Sequence, residues 1–263
     1  MGVSVREATA EDYALFARLH PALGVPDPLP TAALFQARML PDVLIACDDG
    51  EPIGYAHWRL YGATAHVVHL VVAEDFQRRG AGSALLQALR RRAIAAACTR
   101  WYLNVKTDNL AAIRLYERSG LVIEQRGCML LCEWAALLEL GGSSEAEPFE
   151  ASVEDVNRFA QQHGLDPERL ARIRERPAVI FVALRDRAGI CAIGACDPGF
   201  PSIYPIAVAR PEHAAALFRV LGAHARSAQV NLVIEGNAAL AVAARATGAQ
   251  VRFETYRMGA ALP

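Results

Sequence analysis

Short apolar runs separated by polar turns recur along the chain in the same order. "VLIACDDGEPIGYA" from Val43 and "VIFVALRDRAGICAIG" from Val179 each join two apolar runs through a polar turn with glycine, which predicts a β-hairpin. "REATAED" at 6–12 recurs as "FEASVED" at 149–155, and "HLVV" at 69–72 recurs as "PIAV" at 205–208. "DNLAAIRLYERSGL" from Asp108 recurs as "GNAALAVAARATGA" from Gly236. Four matches in one order predict an internal duplication.

The boundary between the two copies is predicted at "ELGGSSEAEPFE", residues 139–150. This stretch is rich in glycine, serine and glutamate and lacks hydrophobic periodicity. The chain has 263 residues, of which 53% are hydrophobic, so two domains with cores of their own can form. We predict domains at 1–138 and 148–263, joined by a linker at 139–147.

The first copy is predicted to contain both strands and helices in partial alternation. Short apolar runs bounded by turn residues predict strands at 3–7, 43–49, 53–60, 65–72 and 121–133, with a further strand at "WYLNV". A first helix is predicted to begin at Ala10, with Thr9 as its N-cap. Further helices are predicted at about 31–40, after "QRRGAG" as far as about residue 97, and at 109–119. This order predicts the α+β class, with a mixed sheet flanked by helices in each copy.

Charge and hydropathy exclude several classes of protein. The net charge is −1, and the basic residues are almost all arginine, with Lys106 the only lysine. A duplex-binding domain usually has a clustered basic face, so no nucleic-acid partner is predicted. No apolar stretch reaches the ~18 residues of a membrane span, and the N-terminal residues lack a secretory h-region. We therefore expect a cytoplasmic protein without a membrane partner.

The six cysteines do not have the spacing of a metal site. None forms a C-x-x-C pair, and Cys128 and Cys132 lie four apart in an apolar, strand-like run. In a reducing compartment this usage favours buried free thiols over disulfides or zinc ligands. No metal site is predicted.

The hexamer "QRRGAG" at 77–82 joins a predicted strand to a predicted helix. The first turn of a helix has unpaired N–H donors and positive partial charge, which favour anions. Gly80 and Gly82 permit close backbone approach, and Arg78 and Arg79 add positive charge. The hexamer alone is equally compatible with a pyrophosphate cradle and with an ordinary strand-to-helix turn. It is neither a Walker loop nor a G-x-G-x-x-G dinucleotide fingerprint.

The surrounding residues resemble the GCN5-related N-acetyltransferase (GNAT) family. The loop "QRRGAG" fits the family pattern Q/R-x-x-G-x-G/A, and Asn109, Tyr116 and Gly120 match its second signature. The resemblance spans roughly residues 3–132, and the second copy shares the layout without the signatures. It implies a tandem GNAT protein with a degenerate C-terminal copy.

The resemblance implies acetyl-CoA as cosubstrate. The pyrophosphate would bind the backbone amides of residues 78–83, and the pantetheine arm would pair with strand residues where that strand splays from its neighbour. The implied cofactor-binding residues are Leu70, Val71, Val72, Gln77, Arg78, Arg79, Gly80, Ala81, Gly82, Ser83, Asn109 and Tyr116.

Acetyl transfer to an amine requires a proton acceptor and benefits from a proton donor. An alkyl ammonium has a pKa of ~10.4, so only about one molecule in a few thousand is neutral at pH 7. By family analogy Tyr116 is the general acid that protonates the leaving thiolate. The strand before the loop has no carboxylate but contains His66 and His69, which are candidate bases, as is His57 on the adjoining strand. His66 and His69 share a face only if a bulge separates them; a water chain is the alternative to a dedicated base.

The second copy lacks the parts that the resemblance assigns to catalysis. Ala244 replaces Tyr116, and "ARPEHAAA" replaces the glycine loop. We therefore predict one acetyl-CoA site and an N-acetyltransferase acting on a primary amine of a small molecule or peptide. The alternatives are a non-catalytic acyl-CoA-binding sensor and a two-domain binding module without CoA. Nothing in the sequence specifies the acceptor further, or an oligomeric state.

Overall fold

The described part of the chain forms two compact units. The computed structural model describes residues 2–140 and 145–263. The first unit runs to Glu124 and also includes Arg257–Pro263, and the second comprises Gln125–Tyr256.

The first unit contains most of the elements predicted for the first copy. In chain order they are β1 (Val3–Glu7), α1 (Tyr13–Leu19), α2 (Ala32–Leu34), β2 (Val43–Asp48), β3 (Glu51–Tyr61), β4 (Thr64–Val72), α3 (Ala81–Ala95), β5 (Arg100–Lys106) and α4 (Leu110–Arg118). Strands β1 to β4 pair antiparallel in chain order, and β4 pairs parallel with β5. The α+β class and the mixed sheet are thereby confirmed.

One predicted helix of the first unit is irregular. A single helix was expected at about 31–40, but α2 has three residues and continues as a π-helical segment, Phe35–Met39, and a 3-10 turn, Leu40–Asp42. Pro41 cannot donate a backbone hydrogen bond and disfavours helical geometry at the residue before it, so a regular helix cannot continue there. Phe35 and Met39 are nevertheless buried and pack in a core cluster with Phe16 and Tyr55.

The remaining elements begin with β6, which starts in the first unit and ends in the second. They are β6 (Val122–Glu133), α5 (Trp134–Leu138), β7 (Glu147–Pro148), α6 (Val153–Gln162), α7 (Pro167–Arg174), β8 (Ile180–Asp186), β9 (Gly189–Asp197), β10 (Ser202–Val208), α8 (Glu212–Gly222), β11 (Gln229–Glu235), α9 (Ala238–Ala246) and β12 (Gln250–Ala261). In the second unit the pairs β7–β8, β8–β9, β9–β10 and β11–β6 are antiparallel, and β10–β11 is parallel.

The compact units do not coincide with the predicted domains 1–138 and 148–263. Residues 127–133 of β6 pair with β11, so most of the last strand of the first repeat belongs to the second unit. The chain end belongs to the first unit, where the Leu262 amide donates to the Thr99 carbonyl at 2.8 Å. Strand pairing therefore divides the chain differently from its composition. Of the predicted linker 139–147, residues 141–144 lie outside the described residues.

Two further expectations concern thiols and membranes. All six cysteines are buried with free thiols, as expected. Among residues 2–140 and 145–263, no helix combines the length and the apolar character needed to cross a membrane.

Candidate active site

Strands β4 and β5 separate part-way along their length. Their parallel pairing runs from Thr64↔Arg100 to Val67↔Leu103 and ends there, although β4 continues to Val72 and β5 to Lys106. On its other edge β4 stays paired with β3 as far as Val72. The β5-facing edge of Leu70, Val71 and Val72 is therefore open to an extended ligand that pairs with backbone.

A β-bulge lies in β4 immediately before this opening. The register with β3 shifts from His57↔His69 to Trp58↔Val67, so Val68 is an extra residue on β4. Side chains alternate between faces along a strand, and one extra residue reverses that alternation. His66 and His69 consequently point to the same face of the sheet.

The loop after β4 leads into α3 through two residues with positive φ. Arg78 has φ +63° and Gly80 has φ +91°. The Gln77 side chain donates to the Val72 carbonyl at 3.2 Å, which ties the loop to the end of β4. The Ala84 amide donates to the Gly80 carbonyl at 2.9 Å, so the preceding amides, from Ala81 to Ser83, belong to the helix turn that lacks intrahelical acceptors. This turn can bind an anion.

Gly82 allows the start of α3 to approach β4 and α4. A Cβ atom at Gly82 would lie 2.9 Å from Leu115 Cδ2 and 3.7 Å from Leu70 Cδ2. Any larger side chain would therefore have to displace Leu115, which precedes Tyr116 in α4. Gly80 has open space around its Cα but requires glycine because of its φ.

Two other predicted cofactor-binding residues have protein contacts of their own, and a third lines a cavity. Arg79 pairs with Asp48 at 3.7 Å and lies over the Phe76 ring at 5.1 Å. The Asn109 Oδ1 accepts from the Ala112 amide at 3.1 Å, so Asn109 is the N-cap of α4. Ser83 lines a surface cavity whose other lining residues are Leu86, Gln87, Arg90, Trp101, Arg118 and Ser119.

Tyr116 is buried in α4, and only 7% of its surface is exposed. Burial raises the pKa of its phenol to about 12, because desolvation disfavours the phenolate. The hydroxyl is therefore protonated at neutral pH and can act as a hydrogen-bond and proton donor.

The histidines divide into two groups. His69 lies within 5.4 Å of His57 and 5.6 Å of His20, measured between ring centroids. Burial, followed by the charges of His20 and Arg59, lowers the pKa of His69 to about 4, and burial holds the pKa of His57 well below its usual value. His66 instead stacks on Tyr102, with centroids 4.4 Å apart. The two catalytic candidates therefore share a face but have different surroundings.

The sequence did not indicate the group of polar side chains around His69. It includes His20 and Asp27 from the proline-rich connection after α1, and Tyr55 from β3. Burial raises the pKa of the Asp27 carboxyl, while the nearby His20 opposes that shift. Within the described residues, His69 Nδ1 and the Tyr55 hydroxyl have no hydrogen-bond partner. The connection has no periodicity, so only the tertiary fold reveals that it approaches β4.

The corresponding helix start in the second unit has a different structure. The His213 amide donates to the Arg210 carbonyl at 3.1 Å, and the Ala214 amide donates to the Pro211 carbonyl at 3.0 Å. Two of the first-turn amides of α8, those of His213 and Ala214, are thus already partnered. Ala244 is buried in α9, and Asn237 caps that helix by accepting from the Leu240 amide at 2.9 Å.

Comparisons with known proteins agree with this geometry. Residues 11–121 match the acetyltransferase (GNAT) family model. This part of the chain is therefore similar to a GNAT domain. An acetyltransferase of Pectobacterium atrosepticum is 33% identical to this chain over 92 residues, which cover 35% of this chain and 64% of the relative.

Solved structures extend the likeness to almost the whole chain. A GCN5-related N-acetyltransferase of Sphaerobacter thermophilus has a TM-score of 0.70 at 18% identity, covering 98% of this chain and 95% of its own. A tandem GNAT protein from the clavulanic acid biosynthesis pathway has a TM-score of 0.62 at 15% identity, covering 98% of each chain. At these identities the comparison shows the fold alone, which is that of a tandem GNAT protein.

Proposed function

We propose that the protein is an N-acetyltransferase that transfers an acetyl group from acetyl-CoA to a primary amine of a small molecule or peptide. The observation that carries this proposal is the opening of β4 from β5 directly beside a glycine-rich helix start. The match of residues 11–121 to an acetyltransferase family model supports the same reaction class.

Acetyl-CoA binding is assigned to backbone groups of the first unit. The amides of residues 78–83 are suited to the diphosphate, since the α3 N-terminus favours negative charge and Gly80 leaves open space beside the loop. The open edge of Leu70–Val72 is suited to the amide groups of the pantetheine arm. Arg79 and Asn109 contribute indirectly, Arg79 through its pair with Asp48 and Asn109 by capping α4.

The reaction is direct attack in a ternary complex. The neutral amine nitrogen forms a bond to the thioester carbonyl carbon and then releases one of its protons to solvent, and the carbon–sulfur bond breaks. Tyr116 donates a proton to the leaving thiolate and regains one from solvent. Backbone N–H groups near Leu70 and Val71, at the opening, are suited to stabilise the oxygen that gains charge.

His69 is the proposed acceptor of the ammonium proton, directly or through water. Its Nδ1 lacks a protein hydrogen-bond partner among the described residues. The imidazole is neutral at pH 7, but its pKa of about 4 makes it a weak base, so a proton that it accepts passes on to water. His66 is the weaker candidate because its ring is stacked against Tyr102.

The second unit is proposed to bind no acetyl-CoA and to have no catalytic role. Its helix start has partnered amides, a proline and the carboxylate of Glu212, which repels a phosphate. Alanine at position 244 has no proton to donate.

The test is release of free thiol from acetyl-CoA by purified protein, with panels of amines, amino acids and peptides as acceptors. Acceptor-dependent thiol release and an acetylated product are expected. Stoichiometric acetyl-CoA binding without acceptor-dependent release across all three panels would favour the acyl-CoA sensor instead.

A further inference from the structure

Three side chains of types that can ligate a metal, a carboxylate, a thiol and an imidazole, lie close together in the second unit. Asp186 ends β8, Cys191 lies in β9, and His213 lies in the first turn of α8. A carboxylate oxygen, the thiol sulfur and a ring nitrogen all lie within 4.8 Å of one another. The His213 Nε2 is 3.4 Å from the Asp186 Oδ2. Cys191 and His213 are each 2% exposed, and the Asp186 side chain is 21% exposed.

A bulge in the β8–β9 hairpin positions the cysteine. The register shifts from Leu184↔Ala192 to Arg185↔Ile190, so Cys191 is the extra residue. The Ala209 amide, one residue beyond β10, donates to the Cys191 carbonyl at 2.8 Å, which ties the bulge to the segment that leads into α8. Bulges re-aim side chains and are retained where they serve a purpose.

The first unit has the same bulge without the metal-binding side chains. Ile53 is the extra residue between β2 and β3, and its carbonyl accepts from the Ala73 amide at 2.8 Å. The Asp48–Arg79 pair, at 3.7 Å, corresponds to Asp186 and Arg210, at 4.0 Å. The carboxylate and the arginine therefore occur in both units, whereas the thiol and the imidazole occur only in the second.

We propose that Asp186, Cys191 and His213 bind one divalent transition-metal ion of the zinc class. Sulfur, nitrogen and oxygen donors at bond lengths of about 2.0–2.3 Å lie roughly 3.3–3.7 Å apart around a tetrahedral ion, which matches the His213–Asp186 separation. A water molecule completes the coordination on the partly exposed Asp186 side. Cys191 binds as the thiolate, and its proton passes to solvent; the hydrogen bond that its thiol donates to the Leu184 carbonyl is then lost.

Arg210 is the side chain that competes with the ion. Its Nη2 lies 3.3 Å from the His213 Nε2, where a metal would bind. The side chain is 63% exposed, and its Nε already pairs with Glu212 at 3.0 Å, so it can turn outward toward Glu212. The ion would then join the β8–β9 hairpin to the start of α8. The corresponding place in the first unit is the start of α3, where the diphosphate is proposed to bind.

The test uses the full chain after removal of metal by a chelator, titrated with Co²⁺ as a spectroscopic substitute for Zn²⁺. One ion per chain is expected, with visible bands of four-coordinate Co²⁺ and a thiolate-to-cobalt charge-transfer band. Cys191→Ser abolishes the charge-transfer band, whereas Cys196→Ser, at a second buried thiol of the same strand, retains it. Folded wild type without that band, or a band that persists in Cys191→Ser, would overturn the proposal.

A second measurement separates metal binding from a plain ion-pair cluster. Zn²⁺ should raise the melting temperature of the wild type but not that of His213→Ala. Mutating residues that merely support a metal ligand lowers metal affinity roughly 10- to 100-fold, so loss of the ligand His213 should lower Zn²⁺ affinity at least as much. Arg210→Ala should bind Zn²⁺ more tightly, because the competing cation is gone. Equal, metal-independent melting of all three proteins would mean that the cluster is only an ion-pair network.

Discussion

Burial acts on Tyr116 and His69 in opposite directions and keeps both side chains neutral. It raises the pKa of the tyrosine to about 12 and lowers that of the histidine to about 4. At neutral pH the phenol therefore has a proton to donate and the imidazole has a nitrogen to receive one. In the proposed reaction the phenol is the proton donor, and the imidazole is a neutral but weakly basic proton acceptor.

Replacing Tyr116 by phenylalanine should separate turnover from binding. The ring keeps its packing, but the proton donor is lost, and general acids typically contribute 10²- to 10⁴-fold. We expect kcat to fall by about 10²-fold or more while acetyl-CoA affinity changes little, measured by thiol release and calorimetry. An unchanged kcat for every accepted amine would remove Tyr116 from the mechanism.

The lowered pKa of His69 also predicts a pH dependence of stability. The unfolded histidine binds a proton near pH 6.5 and the folded one only near pH 4, so acidification through this window favours the unfolded chain. The contribution of the neutral His69 to the free energy of unfolding is fully present above pH 6.5 and is lost as the pH falls toward 4. The loss is about 2 kcal/mol after allowance for the partial exposure of His69.

His69→Gln should therefore lose less unfolding free energy than the wild type between pH 6.5 and pH 4, measured by urea denaturation. His224→Gln, at an exposed histidine of the second unit, is the control and should behave as the wild type. Identical losses in His69→Gln and the wild type would contradict the buried neutral imidazole.

At this scale the sequence names candidate residues but not the contacts that each one makes. Tyr116 and the glycines of the loop are candidates because they match the motifs of the GNAT family. Asn109 and Arg79 were expected to bind cofactor, but the structure gives them partners within the protein, a capped amide and Asp48. Side-chain partners that are distant in sequence carry no local signal, so these contacts were not predictable.

Among the secondary-structure elements, the starts of α3 and α8 differ most clearly between the two copies. α3 begins after Gly80, which has φ +91°, and packs tightly at Gly82, whereas α8 begins after Pro211 with the His213 and Ala214 amides already bonded. The sequence predicted this difference, because glycine and proline have opposite backbone properties. It did not predict the position of the β4 bulge, which depends on the pairing of β4 with β3.

Gly82→Val should disrupt the α3 start without unfolding the first unit. The new side chain must displace Leu115, and overpacking of this kind costs about 1–3 kcal/mol. Acetyl-CoA affinity should fall at least tenfold by calorimetry, with circular dichroism unchanged. Gly2→Val, where a Cβ meets no atom within 4 Å, is the control. Full affinity in a folded Gly82→Val protein would rule out this role for the glycine.

The division of the whole molecule follows strand pairing and not the order of the repeats. Most of β6 pairs with β11, and Arg257–Pro263 belongs to the first unit. The duplication was readable from the sequence, since each repeat keeps its own turn chemistry. The exchange of the final strands, β6 and β12, was not readable from the sequence. Both strands follow similar hydrophobic patterns, so either strand satisfies the local signals of either copy.

A fragment comprising residues 1–138 should therefore fail to fold as the full chain does. It retains the predicted domain but lacks the chain end that bonds to Thr99 and the β11 partner of β6. We expect non-cooperative thermal unfolding and no measurable acetyl-CoA binding. Cooperative unfolding with full affinity would show that the composition-based boundary, and not strand pairing, defines the folding unit.

Calorimetric titration of the full chain with acetyl-CoA tests the central claim most directly. A single site per chain is predicted, because among residues 2–140 and 145–263 the α3 start is the one that joins unpartnered amides to an open strand edge. Gly80→Val should abolish binding, since a β-branched residue disfavours φ near +91°. Two equivalent sites, or one site that survives in folded Gly80→Val, would contradict the assignment of the diphosphate to residues 78–83.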